Sequence, residues 1–141
     1  MKVKELMTKN PTCCTPDTNL EEVAKMMCEH DCGEIPVIEN ENTFKPIGVV
    51  TDRNITCRTV AKGKNPLELT AADCMTDHCI TVTPDMSLEE CCELLEENQI
   101  RRVVVVDKEG KCCGIVSQAD IAIHAPQEKA AEVLQEVSQP A

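Results

Sequence analysis

The sequence predicts an α+β fold built from two β-α-β-β-α units, and two observations carry that expectation. The chain repeats itself: shifted by 68 residues, LMTKNPTCCTPDTNLEEVAKMM falls on CMTDHCITVTPDMSLEECCELL. Met7, Thr8, Thr15, Pro16, Asp17, Leu20, Glu21 and Glu22 thereby meet Met75, Thr76, Thr83, Pro84, Asp85, Leu88, Glu89 and Glu90. Further on the shift becomes 66, because the loop ENENTFKP is longer than DKEGKC, and GVVTDRN (48–54) then meets GIVSQAD (114–120). The length agrees, since 141 residues make one ordinary domain or two half-size units sharing a core.

Each copy reads in the same order. A short stretch, 12–15 or 80–83, looks like a strand and is followed by a Pro-Asp turn. A capping box then predicts a helix start, Asn19 with Glu22 in one copy and Ser87 with Glu90 in the other. The helix faces are Leu20, Val23, Ala24 and Met27 against Leu88, Cys91, Cys92 and Leu95, both at i, i+3, i+4, i+7. Two β-rich runs follow, IPVI with PIGVV and VVVV with CCGIV. A second helix is expected just after Thr51 and just after Ser117. Residues 1–60 form the first unit, 61–73 a connector with Gly63 and Pro66, 74–125 the second unit and 126–141 a helical tail. The tail carries Ala130, Val133, Leu134 and Val137 at helical spacing, an apolar stripe that needs a surface on this chain or on a partner.

Composition excludes several function classes. With one Phe44 and neither Tyr nor Trp, the interior has to be aliphatic. A net charge of −11 without a basic cluster or aromatic ladder argues against nucleic acid. MKVKELMTKN lacks the apolar core of a signal peptide, and VVVV is the longest aliphatic run, too short for a membrane span. A soluble, cytoplasmic protein is expected.

Eleven cysteines in such a compartment read as thiols, metal ligands or reactive groups. The repeat supplies a test, because Cys14, Cys32, Cys57, Cys74, Cys91, Cys92 and Cys113 face apolar residues of the other copy: Val82, Ile100, Ile123, Leu6, Val23, Ala24 and Ile47. They are therefore expected as small core hydrophobes. The alternative is a metal or redox role, for which CEHDC (Cys28, His30, Cys32) is the best candidate, though it has no second half of the Cys-x-x-Cys kind. His30, His78 and His124 show no nucleophile and base arrangement, so no enzyme is expected.

The doubled hydroxyl and polar group, Thr51 with Asn54 and Ser117 with Asp120, admit two interpretations. One is a capping box. In the other, the hydroxyl and the helix N–H groups receive a phosphate while the carboxylate one turn along accepts ribose hydroxyls. Gly48 and Gly114 would let a ligand or another backbone approach closely.

Taken together, (L/C)MT, TPD, LEE, IPVI or VVVV, and GVVTDRNI or GIVSQADI resemble a tandem pair of cystathionine-β-synthase (CBS) domains, a Bateman module, over residues 1 to about 125. The resemblance implies two units packed by pseudo-twofold symmetry with two clefts that bind AMP, ADP, ATP, NAD or S-adenosylmethionine, and a homodimer whose state an unidentified effector protein reads. No further cofactor is implied. One cleft would use Ser117 and Asp120, with Pro11, Thr12, Cys13, Cys32, Gly33 and Ile35 around the base. Its sister would use Thr51 and Asn54, with Cys79, Ile80, Ile100 and Arg101 around the base. Asn54 departs from the family's Asp and lacks the charge that strengthens such bonds, so the Asp120 cleft is expected to be the better one. Arg53, Arg101 and Arg102 are the phosphate candidates.

Overall fold

The computed structural model describes residues 1–140. Its strands and α-helices in chain order are β1 (Thr8–Lys9), α1 (Leu20–His30), β2 (Glu34–Ile38), β3 (Pro46–Thr51), α2 (Asp52–Arg58), α3 (Ala71–Cys74), β4 (Thr81–Val82), α4 (Leu88–Asn98), β5 (Arg102–Val106), β6 (Cys112–Ser117), α5 (Gln118–His124) and α6 (Gln127–Val137). Among the described residues these six helices accompany two sheets, ordered β1-β6-β5-β4 and β2-β3, which is the expected α+β class.

The chain forms two compact units, and they do not simply follow the sequence copies. One unit gathers Met1–Asn10, Ile80–Glu109 and the chain from Cys113 onward; the other gathers Pro11–Cys79 and Gly110–Cys112. The leading segment of each copy explains the exchange, because it docks on the other copy. Val3 and Lys4 donate N–H bonds to the carbonyls of Met86 and Pro84, and Ala71 and Ala72 donate in the same way to Thr18 and Pro16. Next, β1 pairs antiparallel with β6, Thr8 opposite Ile115 and Lys9 opposite Gly114. Thr76 makes the equivalent bridge to Val49 on β3, with N–H to carbonyl distances of 2.9 and 3.0 Å.

That crossing accounts for the repeated glycine. A Cβ at Gly48 would collide with the Thr76 carbonyl oxygen, and one at Gly114 would lie 2.7 Å from Met7 Sδ and 3.1 Å from the Thr8 carbonyl oxygen. Of the two expected visitors, a ligand or another backbone, it is the backbone that comes close.

The unit containing Ser117 has its core in Val3, Leu6, Val82, Leu88, Cys91, Cys92, Leu95, Val103, Val105, Val116 and Ile121, joined by Val133 and Val137 of α6. The amphipathic tail thus covers this chain's own α4 and α5, although Leu134 stays 52% exposed. β4 runs parallel to β5, with Thr81 opposite Val104. The Ser87 hydroxyl accepts from Glu90 N–H at 3.1 Å, as a cap should.

In the other unit the core is Cys14, Leu20, Val23, Met27, Ile35, Val37, Val50, Ala71 and Cys74. Here two expectations need correction. The stretch 12–15 contributes only a parallel bridge from Cys14 to Val37, not a strand. The Asn19 side chain makes no cap; the helix entry is held by Leu20 N–H on the Leu69 carbonyl at 3.0 Å.

The cysteines divide. Cys14, Cys74, Cys91 and Cys92 are buried, and Cys32 and Cys113 are half-buried against the two cores, as the repeat predicts. Cys57 is exposed, and so is its counterpart Ile123 at 73%. Matching an apolar partner establishes equivalence of position, and both positions here face outward on short helices. Burial pushes the thiols of Cys14 and Cys91 up to about 12 and that of Cys92 to about 11.

Candidate nucleotide-binding motifs

Both repeated motifs sit where a strand runs directly into a helix. Ser117 ends β6 with extended φ −115° and caps α5: its hydroxyl accepts from Asp120 N–H at 3.2 Å, and its own N–H donates to Asp120 Oδ2 at 2.9 Å. The hydroxyl also lies 3.1 Å from Oδ2. Thr51 does the same at the head of α2, its Oγ1 accepting from Asn54 N–H at 3.0 Å and its N–H donating to Asn54 Oδ1 at 3.1 Å. The capping box is therefore real in both copies. It fixes the rotamers of Ser117 and Asp120 and so preorganises the pair of groups that a sugar phosphate would need.

A residue that the sequence reading left out completes the acidic motif. Thr8 Oγ1 donates to Asp120 Oδ1 at 3.3 Å, because β1 lies alongside β6. Its counterpart Thr76 does something else: its hydroxyl accepts from Arg58 Nη1 at 3.1 Å, and the same nitrogen donates to the Cys74 carbonyl at 2.9 Å. The match of Thr8 with Thr76 was a visible signal, but the sequence does not say which copy each threonine serves.

The remaining candidates distribute as follows. With Ser117 and Asp120 in one unit are Ile80, Ile100 and Arg102, all half-buried, and the exposed Arg101. The Arg101 carbonyl accepts from Gln118 N–H at 2.9 Å, which sets this arginine's backbone beside the Ser117 motif of its own unit. With Thr51 and Asn54 are Pro11, Thr12, Cys13, Cys32 and Cys79, half-buried, the buried Gly33 and Ile35, and the exposed Arg53. Gly33 mirrors Arg101, its carbonyl accepting from Asp52 N–H at 3.0 Å beside the Thr51 motif. Ile35 is a correction: at 0% exposure its side chain belongs to the core, so it offers a ligand no side-chain surface. A groove of about 340 Å³ between α5 and α6, lined by Ile121, Ala122, Ala130 and Leu134 among others, includes neither Ser117 nor Asp120.

CEHDC does not converge. Cys28 and His30 are exposed on the last turn of α1, Asp31 turns the chain with φ +48°, and Cys32 packs inward. Among the described residues no group of three or more His, Cys, Asp or Glu side chains is placed to hold a metal ion, and no helix is long and apolar enough to cross a membrane. A thiol pair lies elsewhere, Cys13 with Cys112 at 3.9 Å between sulfurs.

Known proteins are similar to this chain in sequence and in fold. The chain is 34% identical over 122 residues to the CBS domain-containing protein YhcV of Bacillus subtilis, covering 86% of this chain and 84% of that one. It is 31% identical over 137 residues to Hypoxic response protein 1 of Mycobacterium tuberculosis, covering 97% and 94%. It is also 35% identical to the uncharacterized protein MK0525 of Methanopyrus kandleri, of which it spans 61%.

Among solved structures, Hypoxic Response Protein I with two coordinated zinc ions has a TM-score of 0.78 at 31% identity, covering 89% of this chain and 100% of that one. The CBS domain pair of MJ0100 with 5-methylthioadenosine and S-adenosyl-L-methionine has a TM-score of 0.78 at 26% identity, covering 87% and 98%. CBSX2 in complex with AMP has a TM-score of 0.72 at 28% identity, covering 91% and 98%. The CBS domain family matches residues 3–58 and again 71–127, so this chain belongs to the CBS domain family and carries two copies of the domain.

Proposed function

We propose that this chain is a non-catalytic regulatory module that binds an adenosine-containing ligand, drawn from AMP, ADP, ATP, NAD and S-adenosylmethionine, at the Ser117–Asp120 motif. The observation that carries the reading is the preset pair of groups at the head of α5, a serine hydroxyl 3.1 Å from a carboxylate oxygen, written again with Asn in the other repeat. The complexes of MJ0100 with 5-methylthioadenosine and S-adenosyl-L-methionine, and of CBSX2 with AMP, support the ligand class.

In this reading Asp120 accepts the ribose hydroxyls. A carboxylate offers about four lone-pair directions; Thr8 and the Ser117 backbone occupy two, and when the Ser117 hydroxyl, 3.1 Å from Oδ2, turns to the phosphate, capacity for a diol is left. Ser117 supplies a hydroxyl to the phosphate, and Arg101, with its backbone beside the motif, supplies charge together with Arg102. Pro11, Thr12, Cys13, Cys32 and the Gly33 backbone remain the proposed surroundings of the base. Thr51 and Asn54, with Cys79, Ile80, Ile100 and Arg53, form the weaker counterpart, because an amide contributes no charge to its hydrogen bonds. The bound state differs from the empty one in packing or in homodimer contacts, and a cytoplasmic effector protein reads that difference; a ligand shifts such an equilibrium only by its differential affinity for the two states.

Calorimetry and thermal unfolding with each of the five adenosine compounds test the proposal. At least one is expected to bind and raise the Tm. Asp120→Ala is expected to weaken binding by about 10- to 100-fold, the equivalent of losing charge-assisted hydrogen bonds worth about 1.5–3 kcal/mol. If none of the compounds binds, or if Asp120→Ala binds as tightly as the parent, the proposal is wrong.

A further inference from the structure

The segment that follows β1 carries adjacent cysteines, Cys13 and Cys14, with different surroundings. Cys14 is fixed in the core: its N–H donates to the Pro36 carbonyl at 3.0 Å, and its carbonyl accepts from Ile38 N–H at 2.8 Å. Cys13 is half-buried, its sulfur 3.3 Å from the Pro11 carbonyl oxygen and 3.9 Å from Cys112 Sγ, across 99 positions of sequence. Cys112 is 6% exposed and is anchored by its N–H on the Phe44 carbonyl at 3.0 Å. Both residues belong to the same compact unit. A disulfide needs sulfurs about 2.05 Å apart. The two sulfurs therefore have about 1.9 Å to close.

We propose that Cys13 and Cys112 form an intrachain disulfide when the protein meets a two-electron oxidant of the peroxide class, and that the bond alters ligand binding by fixing the segment Pro11–Cys14. The second half of the statement rests on the proposed function; the first does not. Cys13, the more accessible thiol, loses its proton and attacks one peroxide oxygen. The O–O bond breaks, leaving a sulfenic acid and, with the proton, one water. The Cys112 sulfur then displaces the second oxygen, also as water, while the S–S bond forms. Two thiols have lost two protons and two electrons, and one hydrogen peroxide has become two waters. The hydrogen bond to Cys112 and burial push the Cys13 thiol well above its ordinary range, so the reaction is slow at neutral pH and accelerates as pH rises.

The test uses the full chain, reduced and freed of reductant, then treated with hydrogen peroxide, denatured in excess N-ethylmaleimide and digested without reductant. The expected result is a disulfide-joined peptide pair carrying Cys13 and Cys112, kept by Cys113→Ser and lost in Cys13→Ser and Cys112→Ser. Cys112→Ala serves as a second variant that puts no hydroxyl into the core. A cross-link that survives Cys13→Ser, or full alkylation of both residues while the exposed Cys28 and Cys57 have oxidised, overturns the bond. In a second arm AMP is titrated into the reduced and the oxidised protein. Its affinity is expected to change by about five-fold or more and to return on reduction. Equal affinities overturn the coupling alone. Absence of AMP binding to the reduced protein removes the coupling, with the peptide map still deciding the bond.

Discussion

The two repeats begin from nearly the same sequence pattern and spend their polar residues differently. In the first, Arg58 reaches the Cys74 carbonyl and the Thr76 hydroxyl, so the equivalent threonine is consumed in fastening a neighbouring segment. In the second, the position of Arg58 is taken by His124, and the threonine hydroxyl of Thr8 turns to Asp120 instead. The first repeat therefore has an uncharged motif, Thr51–Asn54, beside a segment clamped by arginine. The second has a charged motif whose carboxylate is oriented from two sides. Their helices differ as well: α6 covers α4 and buries Cys92, whereas the corresponding Ala24 on α1 is exposed. Duplication supplied one scaffold twice; divergence at a few polar positions made one copy the better candidate for an anionic, sugar-bearing ligand.

The comparison breaks most sharply at the glycines. Gly48→Val is expected to destabilise by about 3 kcal/mol or more, because the added side chain meets a backbone carbonyl that is itself paired in a bridge. Gly114→Val should cost about half as much, since its nearest neighbour is the flexible end of Met7. Urea unfolding of the two variants measures the difference, and equal losses would show that the two crossings are alike.

Alkaline unfolding sharpens the contrast between α4 and α1. Cys91 and Cys92 hold their protons to about 12 and 11 when folded, against 9.0 for an ordinary thiol. Above pH 9 the unfolded chain releases protons that the folded chain keeps, so stability is full below that point and falls as pH rises toward 11. Each such thiol contributes a slope of about 1.4 kcal/mol per pH unit at most. Cys91→Val with Cys92→Ala, which gives α4 the residues of α1, should flatten the decline between pH 9 and 11; an unchanged slope would assign it to other groups.

The smallest expected effect concerns Thr8. Thr8→Val keeps the shape and removes the donor to Asp120, and should weaken adenosyl-ligand binding by about three- to ten-fold through loss of orientation, a net hydrogen-bond value of about 1 kcal/mol. Thr76→Val should leave it unchanged. Calorimetry on both variants separates an orienting hydroxyl from a merely structural one.

Much of this arrangement was legible in the sequence. The duplication, the helix faces of α1 and α4, the strand pairs IPVI with PIGVV and VVVV with CCGIV, and the motif at each strand-to-helix junction all follow from periodicity and local capping chemistry. What escaped depends on partners rather than on pattern. Thr8 and Lys9 form a two-residue polar strand with no alternation to reveal it, and nothing local says that it pairs with the second copy. Asn19 looks like a cap, yet the helix entry is served by the Leu69 carbonyl. Ile35 was expected beside a ligand because the family resemblance puts it there; β2, buried almost throughout, takes its side chain into the core. Cys57 shows that a repeat reports equivalence of address without reporting depth.

The exchange of leading segments also sets the order in which the chain can finish folding. Thr8 and Lys9 are synthesised about a hundred residues before β6, the strand that β1 needs. Until Gly114 and Ile115 emerge, Met7 and Thr8 have no ladder to join, and the loop that must close spans about a hundred residues, a slow event among small domains. β1 is thus the last piece of its sheet to be laid down, so a change that weakens its pairing with β6 should slow the last step of folding.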